Sequence, residues 1–463
     1  MTEAELAYAQ TLTPSEQDHL QRRWYWYDWA NSAYATTIAA VLISPYLTAV
    51  AKESACPGIE DGQTCHTNLN VLGVGIAPGS LAPFTITVST LISAVVLIFI
   101  GAVADRSEHP TRLLGIFSWA GALTACMMFF ISGTNWQLGV VLIILANVFF
   151  GASMIVYDAL LIRIAPPDDR DRVSSRGWAF GYLGGGILLA LNLVLLSLHD
   201  TLGISEGMSV RISLLSAGLW WAGFAIIPVL GLASLRGTVA TPVERSAGVV
   251  RGSITQLATT FRELKHYPQT LSFLLAYLFF NDGIQTVIGS ASLYGKEQLK
   301  FSDSQLVQTI LLVQFVAFGG ALLFGRLARE HGAKKLILWG LGLWVLVVLA
   351  AFFLPERAFM LWLALGLAIG IVLGGTQALS RSLYSQLIPR GRESEFFSLY
   401  QAMERGTSWF GTLLFGLVYQ FAHSYRLSIV ALMVFFVLGG YLLSKCDIRE
   451  GIRAAGNQVP RVV

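Results

Sequence analysis

Seven ionisable residues interrupt long apolar stretches of this 463-residue chain: Asp28, Asp158, Arg163, Asp282, Arg381, Glu404 and Arg405. Hydrocarbon tolerates such groups where a protein interior or a water-filled cavity supplies partners, so each marks a place where function is to be sought. Asp28 opens a helical face that continues through Asn31 and Tyr34. Asp is too short to snorkel well, which leaves a headgroup-level role and an interior role both open. Asp282 lies mid-stretch, with Asn281 and Gln285 beside it and Gly283 loosening the backbone. Gln377 and Arg381 stand one helical turn apart on a shared face, and the guanidinium fork there suits either a solute carboxylate or an acid from the other half of the protein. Arg163, three residues before Pro166, also reads as a marker of the membrane interface, and Glu404 and Arg405, being adjacent, need separate partners. A zwitterionic amino acid requires a cation and an acid, which Arg381 and Asp282 would supply. Asp28 or Asn31, with Asn281 and Asp282, would equally serve an ammonium or a proton. A sugar would use amides and aromatics instead, available at Asn31, Gln285, Gln377 and the tryptophans.

The elements that must position these residues are membrane helices. The chain is 54% hydrophobic and 13% charged, with a mean hydropathy of +0.62, against about 25% charged in soluble domains. A net charge of +3 gives no basis for nucleic-acid binding. Twelve apolar spans of about 20 residues, the length that crosses the hydrocarbon, lie near 26–50, 80–103, 112–132, 137–164, 177–198, 210–234, 269–293, 305–327, 335–354, 359–387, 396–421 and 427–444. Of the 31 Lys and Arg, 22 fall on one side of these spans and three within them. Six fall on the other side: Lys52, Arg211, Lys296, Lys300, Arg357 and Arg426. An even span count and this asymmetry predict both termini in the cytoplasm. The N-terminal segment 1–25 lacks the apolar core of a signal peptide, so the first span is expected to act as its own targeting signal. Cys56 and Cys65, in the first outer loop, could form a disulfide; Cys126 and Cys446 are expected to be free. Zinc spacing, a nucleophile elbow and a phosphate loop are all missing, so neither enzyme chemistry nor a cofactor or metal is expected.

The chain also repeats itself. Gly101-Ala-Val-Ala-Asp105-Arg106 corresponds to Gly325-Arg-Leu-Ala-Arg329-Glu330, and the run Leu160–Pro166 to Leu383–Pro389, at nearly one offset. Two six-helix halves, 26–235 and 269–445, follow from this, joined by a linker at 236–268 and trailed by a tail at 446–463. Residues 254–264 could form a surface helix within the linker. Gly101, Asp105, Arg106, Gly325 and Arg329 read as a conformational latch, in which Asp105 would accept from a helix N-terminus or pair with an arginine.

Gly101-x-x-x-Asp105-Arg106 resembles the signature loop of the major facilitator superfamily. Tyr27-Asp28-Trp29-Ala30-Asn31-Ser32-Ala33-Tyr34, Phe279-Phe280-Asn281-Asp282-Gly283 and Gly374-Gly375-Thr376-Gln377-Ala378-Leu379-Ser380-Arg381-Ser382 resemble motifs of the autophagy-related vacuolar effluxer family and its bacterial relatives. The resemblance spans nearly the whole chain. It implies an all-α membrane protein of twelve helices with an alternating-access fold and, from the fungal branch, amino-acid export. This chain departs from the pattern at Ser107–Pro110, at Arg329-Glu330 and at Asp158, where Asn is usual. Gly177-x-x-x-Gly181 through Gly186 is similar to the glycine motif of superfamily antiporters, with Tyr182 replacing Pro; ordinary tight packing explains it equally. The resulting expectation is a monomeric secondary transporter of small polar solutes in the bacterial inner membrane, amino acids favoured, coupled to protons or another ion. Sugars or other metabolites as solute, and a non-transporting nutrient sensor on the same fold, are the alternatives.

Overall fold

In the computed structural model, residues 12–58, 65, 67–71, 73–235, 264–406 and 409–463 are described, apart from the side chains at 303, 304, 405, 409 and 420. Most of the expected linker, including 254–263 of the surface helix, lies outside them. The first span is a continuous helix, α1 (Pro14–Ala55). It begins well before residue 26, because Thr13 and Glu16 form a capping box: Thr13 Oγ accepts from the Glu16 N–H, and Glu16 accepts from the Thr13 N–H at 2.8 Å. An apolarity criterion leaves this polar first part out of the span. Just after Asn31, residues Tyr34–Leu42 widen into a π-helix, a local form common at functional sites.

Nine further long apolar helices follow: α2 (Pro78–Asp105), α3 (Pro110–Phe130), α4 (Trp136–Ile164), α5 (Arg170–Ser197), α6 (Glu206–Gly231), α7 (Pro268–Leu293), α8 (Asp303–His331), α9 (Ala333–Phe353) and α10 (Phe359–Gln386). The eleventh span, expected over 396–421, is helical on either side of residues 407–408, which lie outside the described residues: α11 (Glu393–Gly406) and α12 (Trp409–Ala422). Helix α13 (Tyr425–Lys445) completes the twelve spans, and a short α14 (Ile448–Ala454) runs on beyond them. The loop after α1 carries a two-stranded hairpin, Leu69–Val71 with Val74–Ile76, and the Cys56–Cys65 disulfide, whose Cα atoms are 6.0 Å apart. Cys126 and Cys446 are free.

Side-chain distribution is that of a protein in lipid. Leu123, Leu230, Leu346 and Phe421 are exposed on the perimeter, while Asp28, Asp158, Asp282 and Arg381 are buried. The buried apolar residues form two main clusters, one from Leu20 to Leu235 and the other, apart from Ala159, from Leu264 to Ile452. Each half thus has its own core. They meet along α2 with α11 and, equivalently, α5 with α8; α4 with α11 and α5 with α10 add a second equivalent pair of contacts. These seams converge on the end bearing most of the Lys and Arg, here termed the basic end.

Candidate functional site at the seam between the halves

Arg381 on α10 is only 1% exposed and reaches across the seam into the first half. Its Nη2 lies 3.0 Å from Asp28 Oδ2 on α1, and its Nη1 lies 3.3 Å from Asp158 Oδ1 on α4. Nε donates to Ser174 Oγ and Nη2 to the Ser174 carbonyl, each at 3.0 Å. The guanidinium carbon sits 4.9 Å from the Trp24 ring centre, 5.4 Å from Trp178 and 5.5 Å from Tyr157, so aromatic faces take the directions that carboxylates do not. Tyr157 Oη donates to Asp28 at 2.7 Å, and Gln401 Nε2 donates to Asp158 at 3.1 Å. Trp24 stacks on Tyr157 at 4.2 Å. One cation and two carboxylates are therefore buried together with nearly every hydrogen-bonding direction occupied, the condition under which buried charge is tolerated.

Local sequence explains the approach. A Cβ at Gly177 on α5 would lie 2.5 Å from Asp28 Oδ2 and 3.0 Å from Arg381 Nη2, and one at Gly181 would lie 2.7 Å from Ser32 Oγ. The glycine stripe of the fifth span thus seats α1 against α5 and brings Asp28 within reach of α10.

A second polar group lies one turn along α10. Gln377 Nε2 donates to Asn281 Oδ1 at 2.8 Å, and Gln285 approaches the same oxygen at 3.5 Å. Gln377 Oε1 is buried with no hydrogen-bond partner among the described residues. Asp282 does not pair with Arg381: its Oδ2 accepts from the Gly411 N–H of α12 at 2.7 Å, and its Oδ1 has no hydrogen-bond partner among the described residues. Arg381 thus takes the ion pair with acids of the other half, Asp28 and Asp158, while Asp282, expected as the acid for a solute amine, bonds to the backbone of α12. Asn31 and Tyr34 turn into the first half, toward Met154 Sδ (3.3 Å) and Asn147 Oδ1 (2.8 Å). Glu404 is half-buried on α11 and Arg163 half-buried near the end of α4. The Arg405 side chain lies outside the described residues.

At the basic end, Asp105 caps α11, accepting from the N–H groups of Ser394 (2.7 Å) and Glu395 (2.8 Å). A Cβ at Gly101 would strike Ser398, and one at Gly325 would strike Ser175. These two contacts are equivalents, since Ser175 and Ser398 differ by the same 223 residues as Leu160 and Leu383. Arg329, where the first half has Asp105, lies 3.6 Å from Asp169 instead. Arg106 is half-buried beside its own loop.

The family profile described as "Vacuole effluxer Atg22 like" matches residues 17–456. The chain belongs to this family. An uncharacterized MFS-type transporter, YxiO, of Bacillus subtilis is 27% identical over 426 residues, covering 92% of this chain and 94% of that one. Autophagy-related protein 22 of Yarrowia lipolytica is 27% identical, over 84% of this chain and 79% of its own. The proton:xylose symporter XylE overlays with a TM-score of 0.67 at 14% identity, covering 94% and 96% of the two chains. A bacterial homologue of ferroportin in an outward-facing state gives 0.62 at 15%, covering 93% and 99%. The fold is that of the major facilitator superfamily, and the protein is a multi-pass membrane transporter of the Atg22-like effluxer family, not an enzyme.

Reading the sequence for ionisable groups alone passed over Ser174, Tyr157, Trp24 and Gln401. The repeat offset held a further signal: it aligns Asp158 with Arg381, residues 223 apart that pair in the structure. Equivalent positions near a pseudo-twofold axis face one another, and here they carry opposite charge.

Proposed function

We propose that this transporter exports small amino acids by ion-coupled alternating access, with Arg381 as the group that receives the solute carboxylate. The reading rests on one observation: a single guanidinium ties α10 of one half to two carboxylates of the other. In the state closed at the basic end, Asp28 and Asp158 neutralise Arg381. When the halves part, a solute carboxylate takes one of those places, and a proton on the released aspartate keeps the cluster in balance, because one cation cannot neutralise three anions. Asn281, Gln285 and Gln377, a turn away, would then receive the amine or side chain through the unpartnered Gln377 oxygen. Asp282, which accepts from the Gly411 N–H, is given the role of holding α12 against α7. The charge asymmetry of the loops supports a bacterial inner-membrane protein with both termini in the cytoplasm.

The test is counterflow and uptake of a pool of labelled amino acids in proteoliposomes, with and without a pH gradient. Wild type is expected to show gradient-dependent flux, Arg381→Gln none, and Asp158→Asn exchange that no longer responds to the gradient. No amino-acid flux by wild type would remove the solute assignment and bring sugars forward. Flux surviving Arg381→Gln would reduce the cluster to a structural tie.

A further inference from the structure

The segment that follows α13 crosses the basic end from one half to the other. It is first docked to its own half: Gln269 accepts from the Asp447 N–H at 2.8 Å and donates to Glu450 at 2.9 Å. Beyond α14, Asn457 Nδ2 donates to the carbonyls of Gln386 (2.9 Å) and Ile388 (2.7 Å), at and just beyond the end of α10. Asn457 Oδ1 accepts from Arg390 Nε at 3.2 Å. Val459 then packs on the core of the second half. Four residues after Asn457 the chain reaches the first half, where the Arg461 N–H donates to Asp168 Oδ1 at 2.7 Å and its Nε lies 3.9 Å from Oδ2.

This contact falls where the two latches differ. On one side of the pseudo-twofold axis, Asp105 accepts two N–H groups of α11. On the other, the equivalent residue is Arg329, which cannot accept and lies instead against Asp169, just ahead of α5. Asp168 is thus approached by Arg461 of the tail, and Asp169, already 3.1 Å from Arg172 of its own half, by Arg329 of the second. Gln386, whose carbonyl anchors Asn457, donates through its side chain to the Pro167 carbonyl at 2.8 Å, so the same two loops are tied twice.

We propose that residues 457–461 are a strap that closes the basic end, taking over the work of the acid missing from the second latch, and that it must leave Asp168 before this end opens. The chemistry fits a contact broken in every cycle. The Arg461 side chain is 93% and that of Asp168 55% exposed, so their ion pair is weak and screened by salt. The N–H to carboxylate bond beside it gives the strap its register.

The test uses the full chain in nanodiscs, with Cys126→Ser and Cys446→Ser leaving the disulfide as the native cysteines. Ser385→Cys supplies a reporter, since Ser385 is fully buried and its carbonyl accepts from Arg170 across the seam at 2.9 Å. Maleimide labelling of this cysteine then follows opening of the basic end and requires no solute. Removing residues 457–463, or Asp168→Ala, is expected to raise the labelling rate about fivefold or more, within the usual range of coupling between sites. Asp168→Asn, which can still accept the N–H, should fall between the parent and Asp168→Ala. Asp18→Asn, which breaks a pair with Arg22 on α1 alone, should change nothing. Added salt should speed labelling of the parent and leave Asp168→Ala unaffected. If the shortened chain does not fold, Asp168→Ala and the salt series decide. Labelling of Asp168→Ala at the parent's rate and salt response would overturn the strap.

Discussion

Arg381 holds its place by geometry as much as by charge. Two carboxylates, a serine hydroxyl and a serine carbonyl share its fork, and three aromatic rings cover the rest. Lysine presents one rotating ammonium and cannot span that set. Arg381→Lys should therefore still fold yet lose amino-acid flux by about tenfold or more, the worth of one lost charge-assisted pair, as read from initial rates in proteoliposomes. Arg381→Gln is the harsher change because it strands two buried aspartates. Removing one partner of a buried pair typically costs about 3–5 kcal/mol, which should appear as a clear fall in the thermal unfolding midpoint in detergent. Adding Asp158→Asn to Arg381→Gln should return part of that loss. Isolated polarity in apolar spans was enough to single out all three charged residues of this cluster. An acid from the other half was one of the two partners expected for Arg381; which acid was not legible from polarity alone, and only the repeat offset pointed to Asp158. Asp282 itself partners the backbone N–H of Gly411, a contact between helices that hydropathy does not register.

At the scale of elements, close approach between helices depends on missing Cβ atoms. Gly177 faces Asp28, Trp24 and Arg381 at once. Gly177→Ala should force α1 and α5 apart at the charge cluster and destabilise the fold by about 1–3 kcal/mol, the usual cost of overpacking. Gly223→Ala on α6, where a Cβ meets nothing within 4 Å, should be neutral or slightly stabilising in the same unfolding assay. The stripe was visible in the sequence, but its partner was not: the glycines serve α1 of their own half, and only Gly186 looks toward α8. Asp105 was expected to cap a helix or to pair with an arginine, and it caps α11. Asp105→Asn keeps one of the two acceptors, turns an amide donor toward the other backbone N–H and loses the charge at the helix N-terminus, at a cost of about 1–3 kcal/mol. The Ser385→Cys reporter should then label faster, although the fold is retained.

For the whole molecule, twelve spans and an internal repeat were readable because apolar length and self-similarity are properties of sequence alone. The polar helical extension Pro14–Gln21 and the crossing of residues 457–461 were not, since the first depends on a cap and the second on a contact between distant loops. A charge exchange tests the pseudo-twofold arrangement directly. Asp158→Arg combined with Arg381→Asp restores one cation and two carboxylates around the axis, so the double variant should unfold at a higher temperature than either single one. It should still fail to transport, because the cation then belongs to the wrong half.

The opposite charges at positions 158 and 381 also bear on how the protein is put together. Two copies of the first half, brought together about the same axis, would set aspartate against aspartate; two copies of the second would set arginine against arginine. At this position the unlike pair of halves sets opposite charges together and a like pair would set like charges together. The cluster proposed to open and close in transport would thus also act as a recognition code, and halves produced as separate chains should find one another as a mixed pair and not as two like ones.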